Sequence, residues 1–217
     1  MQLRINFGSL KCGAALMTAC IVLLNLGCAS FKAKYPPVPL DQRDITVQDG
    51  YFYEIAPGDQ VNIFVWGFEE LSGSVPVRPD GMLTTPLIED VPASGKTPTQ
   101  LARDLEKQFA VYVRYPIVTV IVNGFVGLPS QQVRVVGEAG KPAAVPFRKH
   151  MTLLDLMVEV GGLTEFAAGN KAILVRYANG QQRQYSVRLD DLIRRGIIKE
   201  NLGLLPGDIL IIPESWF

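Results

Sequence analysis

Downstream of Tyr51, short apolar runs alternate with Gly and Pro, and one stretch repeats at helical spacing. "QVNIFVW" (60–66) is β-branched and aromatic, which predicts a strand. "PIVTVIVNGF" (116–125) has the same character and is long enough for a central strand. In "TPTQLARDLEKQFAVYV" (97–113), Leu101, Leu105 and Phe109 recur every four residues and form an apolar stripe. Arg103, Glu106 and Lys107 are left to face water. Thr97 reads as the N-cap, Pro98 as the first helical residue and Gln100 as the far side of a capping box. Within "SVPVRPDGMLTTPLI" (74–88), Pro79-Asp80-Gly81 is a turn whose flanks "VPV" and "MLTT" predict a hairpin. Pro76 cannot donate to a ladder and belongs on an edge or at a bulge.

The pattern then repeats in kind. "QVRVVGEAGKPAAVPF" (132–147) reads as two strands and a loop. "TLLDLMVEVGG" (152–162) is a short helix capped by Thr152 and ended by Gly161-Gly162. "KAILVRYANGQQRQYSVR" (171–188) is a hairpin around Asn179-Gly180, "DDLIRRG" one or two helical turns, and "ILIIP" (209–213) a last strand. The fold class is therefore α+β: two small modules, 51–127 and 132–217, each a sheet with a helix across one face. Pro57-Gly58-Asp59 and Pro206-Gly207-Asp208 each launch a strand, early in the first module and last in the second.

The N-terminus follows a different rule. Arg4 and Lys11 are its only charges, and the apolar stretch 12–27 follows them, so 1–27 reads as a signal peptide. Gly13, Thr18 and Asn25 interrupt it too often for a spanning helix. Residues 28–50, with Pro36, Pro37 and Pro39 and no apolar periodicity, read as an extended tether. The three cysteines, Cys12, Cys20 and Cys28, all lie in the leader or at its edge, so no disulfide framework is available beyond it. "LNLGCAS" resembles the bacterial lipoprotein cleavage box, with Asn25 where Leu is usual and Leu24 one step back. That resemblance assigns lipidation to Cys28, and Ala29 after it gives no signal for inner-membrane retention. One acyl chain holds weakly; two or three make attachment effectively permanent.

Composition adds mainly exclusions. Apolar residues make up 48% of the 217, enough for a real core. The 21 basic and 21 acidic side chains balance, which gives no reason to expect nucleic acid. His150 is the only histidine, so a Ser-His-Asp arrangement would need it, and its place before the Thr152 cap reads as a loop residue. Zinc-ligand spacing is missing, and no cofactor motif is present. The carboxylate pairs Glu69-Glu70, Glu89-Asp90 and Asp190-Asp191 are the remaining catalytic candidates and read as solvated turns or helix starts. Trp66 reads as core or interface, with sugar stacking second. Trp216 and Phe217 read as docked or buried in a neighbour.

"YEIAPGDQVNIFVWGFEELSGSVPVRPDGMLTTPLI" and "GKTPTQLARDLEKQFAVYVRYPIVTVIV" resemble, in order, the export domain of the Wza-type outer-membrane polysaccharide export lipoproteins. The stretch from "VRVVGEAGKPAAVPFRKHMTLLDLMVEVGGLTEFAAGNKAILVR" through "LLPGDILIIPESWF" is similar to the soluble-ligand-binding β-grasp (SLBB) module that follows it there. The resemblance implies a non-enzymatic, ring-forming homo-oligomer, lipid-anchored at the periplasmic face of the outer membrane. It implies a polysaccharide chain in transit and an inner-membrane co-polymerase or chain-length regulator as partners, with no cofactor. Long members carry a further amphipathic helix that makes the pore. The sequence stops at Phe217, so the expectation here is a periplasmic collar with a separate β-barrel as pore. The rival expectations are a monomeric lipid-anchored sugar- or ligand-binding module and a hydrolase using a carboxylate pair.

Overall fold

The computed structural model describes residues 35–40, 43, 50–178 and 180–215. The signal peptide 1–27, Cys28, Asn179, Trp216 and Phe217 lie outside the described residues.

The first sheet has the order β2-β1-β5, with β1 (Gln60–Val65) paired antiparallel to β2 (Gly73–Pro76) on one side and to β5 (Val118–Gly124) on the other. Val61, Ile63 and Val65 point inward from β1, and Val118, Val120 and Val122 from β5. Helix α1 (Pro98–Phe109) closes this side, burying Leu101, Ala102, Leu105 and Phe109. Removing a side chain such as Leu101 or Phe109 from water stabilises by about 1.5–3 kcal/mol. Both bonds of the Thr97–Gln100 capping box form. Glu106 does not face water as expected: its Oε1 accepts the Val118 N–H at 3.0 Å, tying the helix to the start of β5.

Two further expectations need correction. β5 is an edge strand, and β1 is the central one. Nor do "VPV" and "MLTT" pair. The Arg78–Met82 turn is present, but β2 joins β1, while β3 (Met82–Thr85) pairs with β4 (Ile88–Pro92) in a separate two-stranded sheet. The reason is where the backbone bonds of Val77 go. Its N–H donates to Asp59 O and its carbonyl accepts from Gly58 N, both at 2.9 Å. Those groups face away from β3 and tie the strand end to the Pro57-Gly58-Asp59 turn, while Pro76, which would bond across to Thr84 in the register the Arg78–Met82 turn sets, has no N–H to offer. Pro76 sits on the edge strand β2, where its missing donor costs nothing.

The second sheet is mixed, in the order β7-β6-β10-β8-β9. β10 (Ile209–Ile212) lies at its centre, parallel to β6 (Gln132–Gly137) and antiparallel to β8 (Ala172–Ala178). β7 (Ala144–Pro146) and β9 (Gln181–Val187) complete the edges. Helix α2 (Leu153–Glu159) buries Leu153, Leu156 and Met157 beneath a Thr152–Asp155 capping box, and α3 (Leu189–Ile193) adds Leu189 and Leu192. The fold class is α+β, with a β-grasp-like second module.

Part of the stretch read as an extended tether packs along this second module. Ser186 N–H donates to Pro36 O at 2.8 Å and Pro37 bridges Ser186 in parallel, so the chain runs along the outer edge of β9. Val38 is buried among the second module's apolar side chains. Arg43 donates from Nε to Val38 O at 2.9 Å, and its carbonyl accepts from Gly203 N. A single buried valine in an otherwise polar, proline-rich run left no periodicity to read.

Candidate functional site

The repeated Pro-Gly-Asp turns share one construction. In each, the aspartate Oδ2 accepts the N–H of the residue three positions back: Ala56 for Asp59 and Leu205 for Asp208, both at 2.9 Å. The intervening glycines have φ of +92° and +83°, which a side chain would resist. Both aspartates are fully buried, so each needs further donors. Here the two copies diverge. Asp208 faces Arg176 of β8, equally buried, whose Nε and Nη2 reach its two oxygens at 3.0 and 2.7 Å; Nη2 also donates to Gly203 O. Burial pushes the Asp208 carboxyl up, against the pull of Arg176 and the Leu205 N–H. Asp59 has neutral donors: the Tyr53 hydroxyl at 2.5 Å and the Val126 N–H at 2.8 Å.

Asp59 thereby sets one wall of a groove of about 540 Å³. Tyr53 is held by its hydroxyl, and Phe125 by the bond to its neighbour Val126; the two rings meet edge-on with centroids 5.2 Å apart. The opposite wall belongs to the second module, where Phe147 meets Tyr51 edge-on at 5.0 Å beside Val145. Residues 51–54 run along the seam, placing Tyr51 against the second core and Tyr53 against the first. Gln131 fastens them: its Oε1 accepts from Glu54 N at 3.2 Å and its Nε2 donates to Phe52 O at 3.4 Å. Arg148, Lys149 and Glu159 form the rim, with Arg148 and Glu159 paired at 2.6 Å. Burial raises the phenol pKa of both tyrosines, reinforced for Tyr53 by the bond to Asp59, so both keep their protons at neutral pH.

A second surface lies on the side of the first sheet away from α1. Trp66 is 67% exposed and so is not core; it meets Phe64 edge-on, and Ile117 and Ile121 stand exposed on the neighbouring strand segment. Trp66 N–H donates to Ile117 O and Phe64 lies opposite Thr119, so these side chains share one face.

The carboxylate pairs are not brought together. Glu69 and Glu70 are exposed in a 3-10 turn after β1. Asp90 and Asp80 both hold Arg78, with Asp90 at 2.6 Å, and the bond from Arg78 keeps the Asp80 carboxyl below its usual range. Asp190 and Asp191 anchor α3. Asp190 accepts Asn170 N–H, while Asp191 accepts Arg188 Nε at 2.6 Å and Asn170 Nδ2 at 3.0 Å. His150 is an exposed turn residue with φ of +65°. Among the described residues no group of three His, Cys, Asp or Glu side chains could hold a metal ion, and no helix is long and apolar enough to cross a membrane. Sequence reasoning missed Tyr53, Asp59, Arg176 and Asp208 as partners. The repeated tripeptide carried the signal, since an aspartate recurring at the same place in a turn marks a recurring acceptor.

Residues 47–123 match the polysaccharide biosynthesis/export protein family, and residues 131–212 match the SLBB domain. The chain belongs to the polysaccharide export family. Proteins of the polysaccharide export family act at the cell envelope. This member is similar to the exopolysaccharide production protein ExoF of Rhizobium meliloti (strain 1021), with 26% identity over 216 residues. The alignment covers 97% of this chain and 49% of ExoF, so the chain spans about half the length of that curated relative. Phe125 and Val126 lie in the short stretch between the two matched regions, so the groove takes its walls from both sides of the junction.

Proposed function

We propose that this protein is a subunit of a ring-shaped conduit that carries exopolysaccharide or capsular polysaccharide across the cell envelope. The observation that carries the reading is the order of an export domain and an SLBB domain in a chain similar along 97% of its length to an exopolysaccharide production protein. In this reading Cys28 bears the lipid and holds the protein at the periplasmic face of the outer membrane. An inner-membrane co-polymerase feeds the passage, and the protein itself breaks no bonds and needs no cofactor. The exposed Phe64, Trp66, Ile117 and Ile121 support it, because an apolar sheet face opposite a helix-covered one is suited to burial against a neighbouring copy. Head-to-tail contacts of that kind close into rings when the rotation allows.

The test is twofold. Cells lacking the gene should fail to deliver polymer to their surface, and detergent-extracted protein should have the mass of a closed oligomer. Normal surface polymer in the deletion strain would sink the reading, and a monomer at high concentration would sink the ring. Cys28→Ser should release the protein from membranes; continued retention, with no acyl label on the wild type, removes the anchor.

A further inference from the structure

We propose that the groove at the seam between the two modules is a glycan subsite, in which the ring of Phe125 stacks on one face of a sugar and the rim residues bond its hydroxyls. The proposal rests on the reading above only in taking polysaccharide as what the protein handles; the groove itself supplies the chemistry.

A pyranose presents two kinds of surface. Its ring faces carry C–H groups and are apolar, while its edge carries hydroxyls, each both a donor and an acceptor. The groove has a counterpart for each. Its walls are aromatic, from Tyr51, Tyr53, Phe125 and Phe147. Its rim offers a guanidinium, an ammonium and a carboxylate, from Arg148, Lys149 and Glu159, so both donors and acceptors are at hand. The volume of about 540 Å³ falls within the range of small-ligand sites.

The walls are also fixed in advance. Phe125 is 58% exposed, yet the ring of Tyr53 abuts it edge-on, and the Val126 N–H bond to buried Asp59 holds the backbone beside it. Phe147 is buried and Tyr51 is braced against it. An exposed aromatic platform held this way loses little freedom when a sugar lies on it. Only one such platform is well exposed, so binding is weak and reversible. A polymer that must keep moving needs contacts of that strength.

The experiment uses full-length protein purified in detergent. The probe is a fluorescently end-labelled oligosaccharide mixture from partial acid hydrolysis of the polymer secreted by cells that carry the gene. Anisotropy should show saturable binding. Phe125→Ala should weaken it about tenfold, Phe125→Trp should retain it, and Tyr177→Ala, an equally exposed ring outside the groove, should leave it unchanged. Size-exclusion mass and thermal midpoint of Phe125→Ala should match the wild type. A probe that does not bind, or binds Phe125→Ala as well as the wild type, overturns the subsite. Loss of surface polymer on gene deletion, with no binding in the groove, would refute this proposal and leave the conduit standing.

Discussion

Removing either member of the Arg176–Asp208 pair should destabilise the second module, and the two losses should respond differently to pH. Both side chains are 1% exposed, joined by bonds at 2.7, 3.0 and 3.3 Å. Breaking such a pair from one side costs about 3–5 kcal/mol, because the survivor remains buried. For the compact unit Tyr35–Phe217 each kcal/mol lowers the thermal midpoint by about 2–4 °C, so either single variant should melt roughly 6–20 °C lower at pH 7.5. Arg176→Met leaves a carboxylate that can escape by taking a proton. Burial already pushes the Asp208 carboxyl up, and without the guanidinium it rises further. A carboxyl whose folded pKa is raised holds stability below its unfolded value of about 3.9 and loses it as pH rises through the folded value. The Arg176→Met penalty should therefore shrink as pH falls from 8 to 5. Asp208→Asn leaves a buried guanidinium that cannot shed its proton, so that variant finds no such relief as pH falls. Differential scanning calorimetry of both variants and of the double variant, at several pH values, measures this. A loss under 1 kcal/mol for Arg176→Met, or parallel pH profiles for the two, would refute the account.

Tyr53→Phe removes the hydroxyl from Asp59 and should cost about 1.5–3 kcal/mol, the range for a bond to a charged group, in urea titration. Because the phenol pKa is raised in the fold, wild-type stability should also fall as pH climbs above about 10, and Tyr53→Phe should lose part of that slope. Gly137→Ala should lower expression of folded protein sharply: φ is +94°, and a Cβ would meet Ile212 O at 2.0 Å in the central strand. Thr97→Ala should cost about 1 kcal/mol through the lost cap of α1, a drop of a few degrees by circular dichroism. The bond from Arg188, then that from Asn170, holds the Asp191 carboxyl below its usual range, so its stability is present above about pH 4 and lost below. Asp191→Asn should flatten the acid limb of the stability curve.

Local patterns were legible; the destinations of strands were not. Thr97, Pro98 and Gln100 announced α1, and alternation announced β1, because both signals lie within a few residues. The Arg78–Met82 turn was also legible, but its flanks enter different sheets, because Asp59 and Gly58 claim Val77 from eighteen residues or more away. The β-branched run of β5 resembles a central strand, yet Thr119 and Ile121 face solvent at a sheet edge. The groove was hidden for the same reason. Tyr51, Phe125 and Phe147 are distant in sequence, and only packing at the seam assembles them.

The run along β9 settles where mechanical load enters. Any tension on the chain's N-terminal side reaches Pro36–Val38 before it reaches the first module, although the first module comes earlier in sequence. The pull is taken by the Ser186–Pro36 bond, then by buried Val38, then by Arg43. The first sheet and the seam therefore lie behind that clasp on the path of the load.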